Sequence, residues 1–67
     1  MEIAVASIKR VMKTVAGSDT PIGVAAVNVV IEEVEKIIAE KTIAAKRLAN
    51  HAGRKGISEE DIKLVFQ

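Results

Sequence analysis

The chain has 67 residues, no cysteine and a formal net charge of +1, with 49% hydrophobic residues and a single aromatic, Phe66. The absence of cysteine excludes disulfides and thiolate metal sites, and the near-zero charge does not by itself point to nucleic acid. A single domain this small buries only a modest fraction of its surface alone and usually needs a staple or a partner, and oligomerisation is the expected compensation.

The start carries an acid, Glu2, and no charged region ahead of a long apolar one, so no secretory leader is expected. The longest uncharged run, Thr20 to Ile31, falls short of the ~20 apolar residues that cross a bilayer. The expectation is a soluble, cytoplasmic protein with no membrane partner.

In chain order, Ile8, Val11, Met12 and Val15 recur at helical spacing and predict an amphipathic first helix, with Lys9, Arg10 and Lys13 off the apolar stripe. Gly17 ends it, because glycine tolerates a left-handed backbone. Ser18-Asp19-Thr20 forms a polar connection, and Pro21 suits the first turn of a new helix with Thr20 as its cap. From Pro21 to about Ala52 only Gly23 weakens the pattern, which predicts a helix of roughly 30 residues, about 45 Å long. Val27, Val30, Ile31, Val34, Ile37 and Ile38 line one face, continued by Ala44, Ala45, Leu48, Ala49 and Ala52. Two short helices of the same chain cannot cover so long a face, and an uncovered apolar face marks an interface. Lys41 interrupts the face where a heptad seam would continue, which argues against a coiled coil. Gly53 stops the long helix. Ser58 begins the last one, with Asp61 at capping-box spacing and Ile62, Val65 and Phe66 as its inward stripe.

The charges are segregated. Lys9, Arg10 and Lys13 cluster near the start; Lys41, Lys46, Arg47, Arg54 and Lys55 fill a stretch without an acid; the acids gather at Glu32 to Glu35 and Glu59 to Asp61. Such segregation builds a basic face on a nearly neutral protein, although ordinary solvated helix faces have the same look. One histidine, His51, without cysteine makes no metal site, and no Ser/His/Asp pattern suggests catalysis. No cofactor is implied and the chain is not read as an enzyme.

The segment His51 to Val65, HAGRKGISEEDIKLV, resembles the end of the central helix, the second loop and the last helix of an archaeal histone. Matches are also found at Leu48 and around Arg10 and Lys13. The resemblance implies an all-α histone fold (short helix, long central helix, short helix) over residues 1–67, assembled as a head-to-tail dimer. It implies an intrachain salt bridge between Arg54 and Asp61, which is compatible with Asp61 capping its own helix. It implies duplex DNA contacts from Arg10 and Lys13, with Lys9 as an added cation on that segment, and from Lys55 in the second loop. It further implies a dimer–dimer contact through Leu48, His51, Asp61 and Leu64, the histidine meeting the aspartate of the other dimer; the helix pattern itself puts Asp61 and Leu64 on the outward side of the last helix, opposite Ile62, Val65 and Phe66.

The chain departs from the family pattern in four respects. The first loop, Ser18-Asp19-Thr20-Pro21, has an acid where members place an arginine, and Gly56 stands where a paired threonine is usual. The stretch from Arg10 to His51 is slightly longer than a gapless match allows, and the chain stops at Gln67 without the basic residues common in members. Loop contacts to DNA are therefore expected to be weaker than in a typical member. The reading is a non-sequence-specific duplex DNA-binding histone that compacts or wraps DNA as dimers stacking into tetramers, associated with the nucleoid. The alternative is a histone-fold heterodimerisation module that pairs with paralogous histones and modulates or ends their polymers.

Overall fold

The computed structural model describes residues 3–67, so the acid Glu2, weighed above against a leader, lies outside the described residues. Three helices account for most of them: α1 (Val5–Ala16), α2 (Val24–His51) and α3 (Glu59–Val65). No strand occurs among the described residues. Two compact units divide at the middle of α2, one ending at Glu35 and the other beginning at Lys36.

In the first unit, α1 starts without a side-chain cap: the carbonyl of Ala4 takes the amides of Ser7 and Ile8 at 3.1 and 3.3 Å. It ends as its sequence predicts. Gly17 has a φ of 106°, and its N–H donates to the carbonyl of Lys13 at 2.8 Å. A side chain there meets both the φ penalty and Asp19 Oδ1, 3.3 Å from the added Cβ. The apolar stripe is only half covered, since Ile8 and Met12 are half-buried while Val11 and Val15 are exposed.

The long helix begins at Val24 rather than Pro21. Thr20 does not cap it: the Thr20 hydroxyl donates back to the carbonyl of Ala16 at 3.0 Å, and the Thr20 N–H donates to Gly17 at 3.0 Å. Thr20 therefore satisfies the open carbonyl end of α1, one of the groups every helix terminus must place. Pro21, Ile22 and Gly23 pass without helix, and Gly23 contributes as acceptor for the amide of Val27 at 3.2 Å. Val27 is fully buried; Val30, Ile31 and Val34 are half-buried along the same face.

In the second unit, Ala45 and Ala49, one turn apart on α2, are fully buried. α2 closes in a Schellman turn around Gly53, whose φ is 73°. The Arg54 N–H donates to Ala49 O at 2.9 Å and the Gly53 N–H to Asn50 O at 3.0 Å, satisfying two of the last carbonyls. α3 then runs back along the Lys41–Ala45–Ala49 stripe, because Lys41 Nζ donates to the Val65 carbonyl at 2.9 Å and stands 5.4 Å from the centre of the Phe66 ring. The lysine that interrupts the apolar face thus caps the carboxyl end of α3, where a cation is favoured by the helix dipole. The buried side of α3 holds Asp61 and half-buried Val65, one turn apart. Ile62 and Phe66, expected inward, are 37% and 58% exposed.

Candidate functional site

The loop after α2 is held by one carboxylate. Asp61 Oδ2 accepts from Arg54 Nη1 and from the Ser58 N–H, each at 2.8 Å, and Oδ1 accepts from Arg54 Nη2 at 2.8 Å. The planar guanidinium matches the carboxylate in two parallel bonds, the strong geometry for such a pair. Ser58 returns the interaction, its Oγ accepting from the Asp61 N–H at 3.4 Å, which completes a capping box. Arg54 Nη1 also reaches the Gly56 carbonyl at 3.4 Å, fastening the middle of the loop.

Burial and hydrogen bonding here pull in opposite directions, and hydrogen bonding wins. The Asp61 side chain is only 3% exposed, which alone disfavours the charged form, yet the Arg54 hydrogen bonds and then the Ser58 amide hold its carboxyl far below the usual carboxylate range. The same hydrogen bonds push the Arg54 guanidinium up. Asp61 is therefore a carboxylate at any physiological pH, and no buried side-chain nitrogen or oxygen among the described residues lacks a partner.

Asp61 does not lie on an outward surface, as the helix pattern suggested. The guanidinium fork and the cap turn it inward, and its face is shared with Val65. Around this clamp, Leu48 is half-buried, His51 is exposed on the last turn of α2, and Leu64 is 54% exposed. Arg47, Asn50 and His51 line an open recess of about 350 Å³. The sequence pattern marks Arg47 only as part of the basic stretch and does not mark Asn50. The available signal was that both stand one turn or less from His51.

The other set of expected residues lies on α1. Lys9 and Lys13, one turn apart and both half-buried, share a face, with Arg10 exposed beside them. Between Val5 and Ala16 there is no acid to oppose them. The aliphatic stems of half-buried lysines cover apolar surface while the ammonium heads stay in water. Lys55, exposed in the loop of the second unit, adjoins the clamp residue Arg54. In the first loop no cation is present, and Thr20 is turned onto α1.

No helix among the described residues is long and apolar enough to cross a membrane. A family profile described as histone-like transcription factor (CBF/NF-Y) and archaeal histone matches residues 1–66. No curated protein matches the chain. The chain belongs to this histone-like family, and its short, long and short helices are the histone fold.

Proposed function

We propose that this histone-family chain is a single histone-fold domain that pairs head to tail as a homodimer and binds duplex DNA through the phosphate backbone. The observation that carries the reading is the acid-free α1, where Lys9, Arg10 and Lys13 flank a half-covered apolar stripe in a chain of this family. Lys55 adds a loop contact. Backbone contacts position a protein on DNA without reading its sequence, and neither the loops nor α1 offers a set of base-reading side chains or a stacking platform. Pairing is supported by the apolar side chains of α2 that the chain leaves exposed, among them Ile37 at 46% and Ile43 at 56%. Dimers then stack through the end of α2 and α3, where Leu48, His51 and Leu64 supply the surface and Asp61 holds the two helices in register beneath it. The role is compaction of nucleoid DNA, with no catalytic step and no cofactor.

The test is a salt titration of duplex binding. Three α1 cations per chain give six per dimer, so neutralising six phosphates predicts a slope of log affinity against log salt of roughly −5. Replacing Lys9, Arg10 and Lys13 with alanine should flatten most of that slope and weaken two unrelated duplexes about equally. A slope untouched by the triple change, or a strong preference for one duplex, would place the DNA surface elsewhere.

A second reading is favoured by the first loop, where Asp19 stands in place of a cation and Thr20 faces α1. In that reading the chain is a heterodimerisation module for paralogous histones. No duplex binding by the parent protein at low salt, together with capture of a histone paralogue, would favour it.

A further inference from the structure

We propose that the open recess at the carboxyl end of α2, lined by Arg47, Asn50 and His51, binds a phosphate group. The three residues stand within one turn of each other, so a helix sets their side chains on adjoining surface. All are exposed, and none of the three side chains is hydrogen-bonded or ion-paired to another described residue. They supply a guanidinium fork, an amide NH2 and an imidazole N–H, all able to donate to one guest. No acid opposes them in the stretch from Lys41 to Ser58. Arg54 is spent on Asp61 at 2.8 Å, whereas Arg47 is not spent.

The lining decides the class of guest. With a volume of about 350 Å³ the recess sits at the low end of the ~300–1,000 Å³ usual for small-ligand sites. No apolar side chain lines it, so it has nothing with which to bury a carbon skeleton, and recognition falls to oxygen atoms. An arginine fork takes two oxygens of one group. The amide and the imidazole leave donors for a third, which a phosphate has and a carboxylate lacks. The carboxyl end of a helix ordinarily repels anions through its open carbonyls. Here the amides of Ala52, Arg54 and Gly53 occupy the carbonyls of Leu48, Ala49 and Asn50 at 3.1, 2.9 and 3.0 Å, which blunts that pole. The phosphate can arrive on the backbone of a duplex or on a small molecule; the chemistry of the recess is the same. His51 also belongs to the stacking surface read above, but this site needs one chain's residues alone and is tested without stacking.

His51 is the only histidine, so its ring protons give NMR signals that report on this recess without assignment of the rest. The full chain is titrated with inorganic phosphate at fixed pH and ionic strength, with acetate and chloride as comparison anions. Phosphate should shift the His51 signals saturably, and acetate should bind at least roughly 10-fold more weakly. Arg47→Gln should weaken phosphate about 10-fold or more, the size of a lost charge-assisted pair, and Asn50→Ala should weaken it less. Lys63→Gln, outside the recess, should leave the titration unchanged. Circular dichroism checks that each variant retains the helicity of the parent. A short duplex forms the second arm. If it moves the same signals and Arg47→Gln abolishes the effect, the bound phosphate belongs to the DNA backbone. If free phosphate saturates the site while the duplex leaves these signals in place, the guest is a small phosphorylated molecule. A phosphate shift no larger than that of acetate or chloride, or one untouched by Arg47→Gln, overturns the site.

Discussion

Replacing Gly53 with alanine isolates the contribution of the turn that aims Arg54 at Asp61. Its φ of 73° lies in the left-handed region, and nothing lies within 4 Å of an added Cβ, so the penalty is conformational and not a clash. For an L-residue that conformation costs roughly 1–2 kcal/mol. Alanine also narrows the unfolded ensemble, an effect worth about 0.4–1 kcal/mol in the opposite direction. The net expectation is a loss of about 1 kcal/mol per chain, or a fall in Tm of about 4–8 °C for a domain of this size. Gly56 is the internal control. It lies in the same loop, its φ is not positive, and an added Cβ there also meets open space, so Gly56→Ala should be neutral or slightly stabilising. Gly53→Asn should fall between parent and alanine, because asparagine tolerates the left-handed region better than other side chains. Thermal unfolding at one fixed protein concentration is the assay, since coupled association makes Tm depend on concentration. Equal Tm values for Gly53→Ala and Gly56→Ala would refute the reasoning that the Schellman turn constrains the loop.

The Asp61 carboxyl, held below its ordinary value, stabilises the fold fully above the unfolded carboxylate pKa of about 3.9 and loses that contribution as pH falls toward the folded value. Urea midpoints from pH 7 down to pH 2 should therefore drop less for Asp61→Asn than for the parent, with the variant weaker at pH 7; parallel acid limbs would exclude the clamp as their cause. Lys41→Met keeps an apolar stem but removes the bond to Val65 and the cation over Phe66, at a net cost of about 1 kcal/mol. Its signature is faster amide exchange at Phe66 and Gln67, and unchanged exchange there would show that the lysine does not hold the end of α3. Ile38→Asp introduces a charge on a side chain that is 38% exposed in the single chain, and should abolish the dimer and most of the helicity together. An equally helical Ile38→Asp dimer would mean that this face is not the pairing surface.

Much of this architecture is written in local signals. Gly17 and Gly53 punctuate the helices because their positive φ is a property of the residue itself, and Ser58 with Asp61 announces the α3 cap through a fixed spacing. Signals that compete locally are harder to rank. Thr20 and Pro21 have the form of a helix start, but the Thr20 hydroxyl is drawn to the nearer open carbonyl of Ala16, and Gly23 disfavours helix, so α2 begins later. Lys41 looked like a flaw in an apolar stripe, since nothing in its neighbourhood reveals an acceptor 24 residues away at Val65. The orientation of α3 departs from its apolar pattern for a similar reason. A periodic pattern puts apolar residues inside, whereas the Arg54 fork turns a charged residue inward and leaves Ile62 and Phe66 exposed on the single chain.

The engagement of Lys41 alters how the protein approaches a polyanion. Arg54 and Lys63 are each offset by an acid, whereas half-buried Lys41 engages a carbonyl and a ring, and so cancels no acid. The formal charge of +1 leaves the chain only a small net monopole, whichever way Lys41 faces. On the proposed reading, capture of DNA would draw little on attraction from afar. It depends on α1 coming within about a Debye length, ~8 Å at physiological salt, where three cations act as a local pole. If the chain binds DNA as proposed, encounter should be slow and residence short at elevated salt, and any stacking of dimers would multiply those local poles and lengthen it.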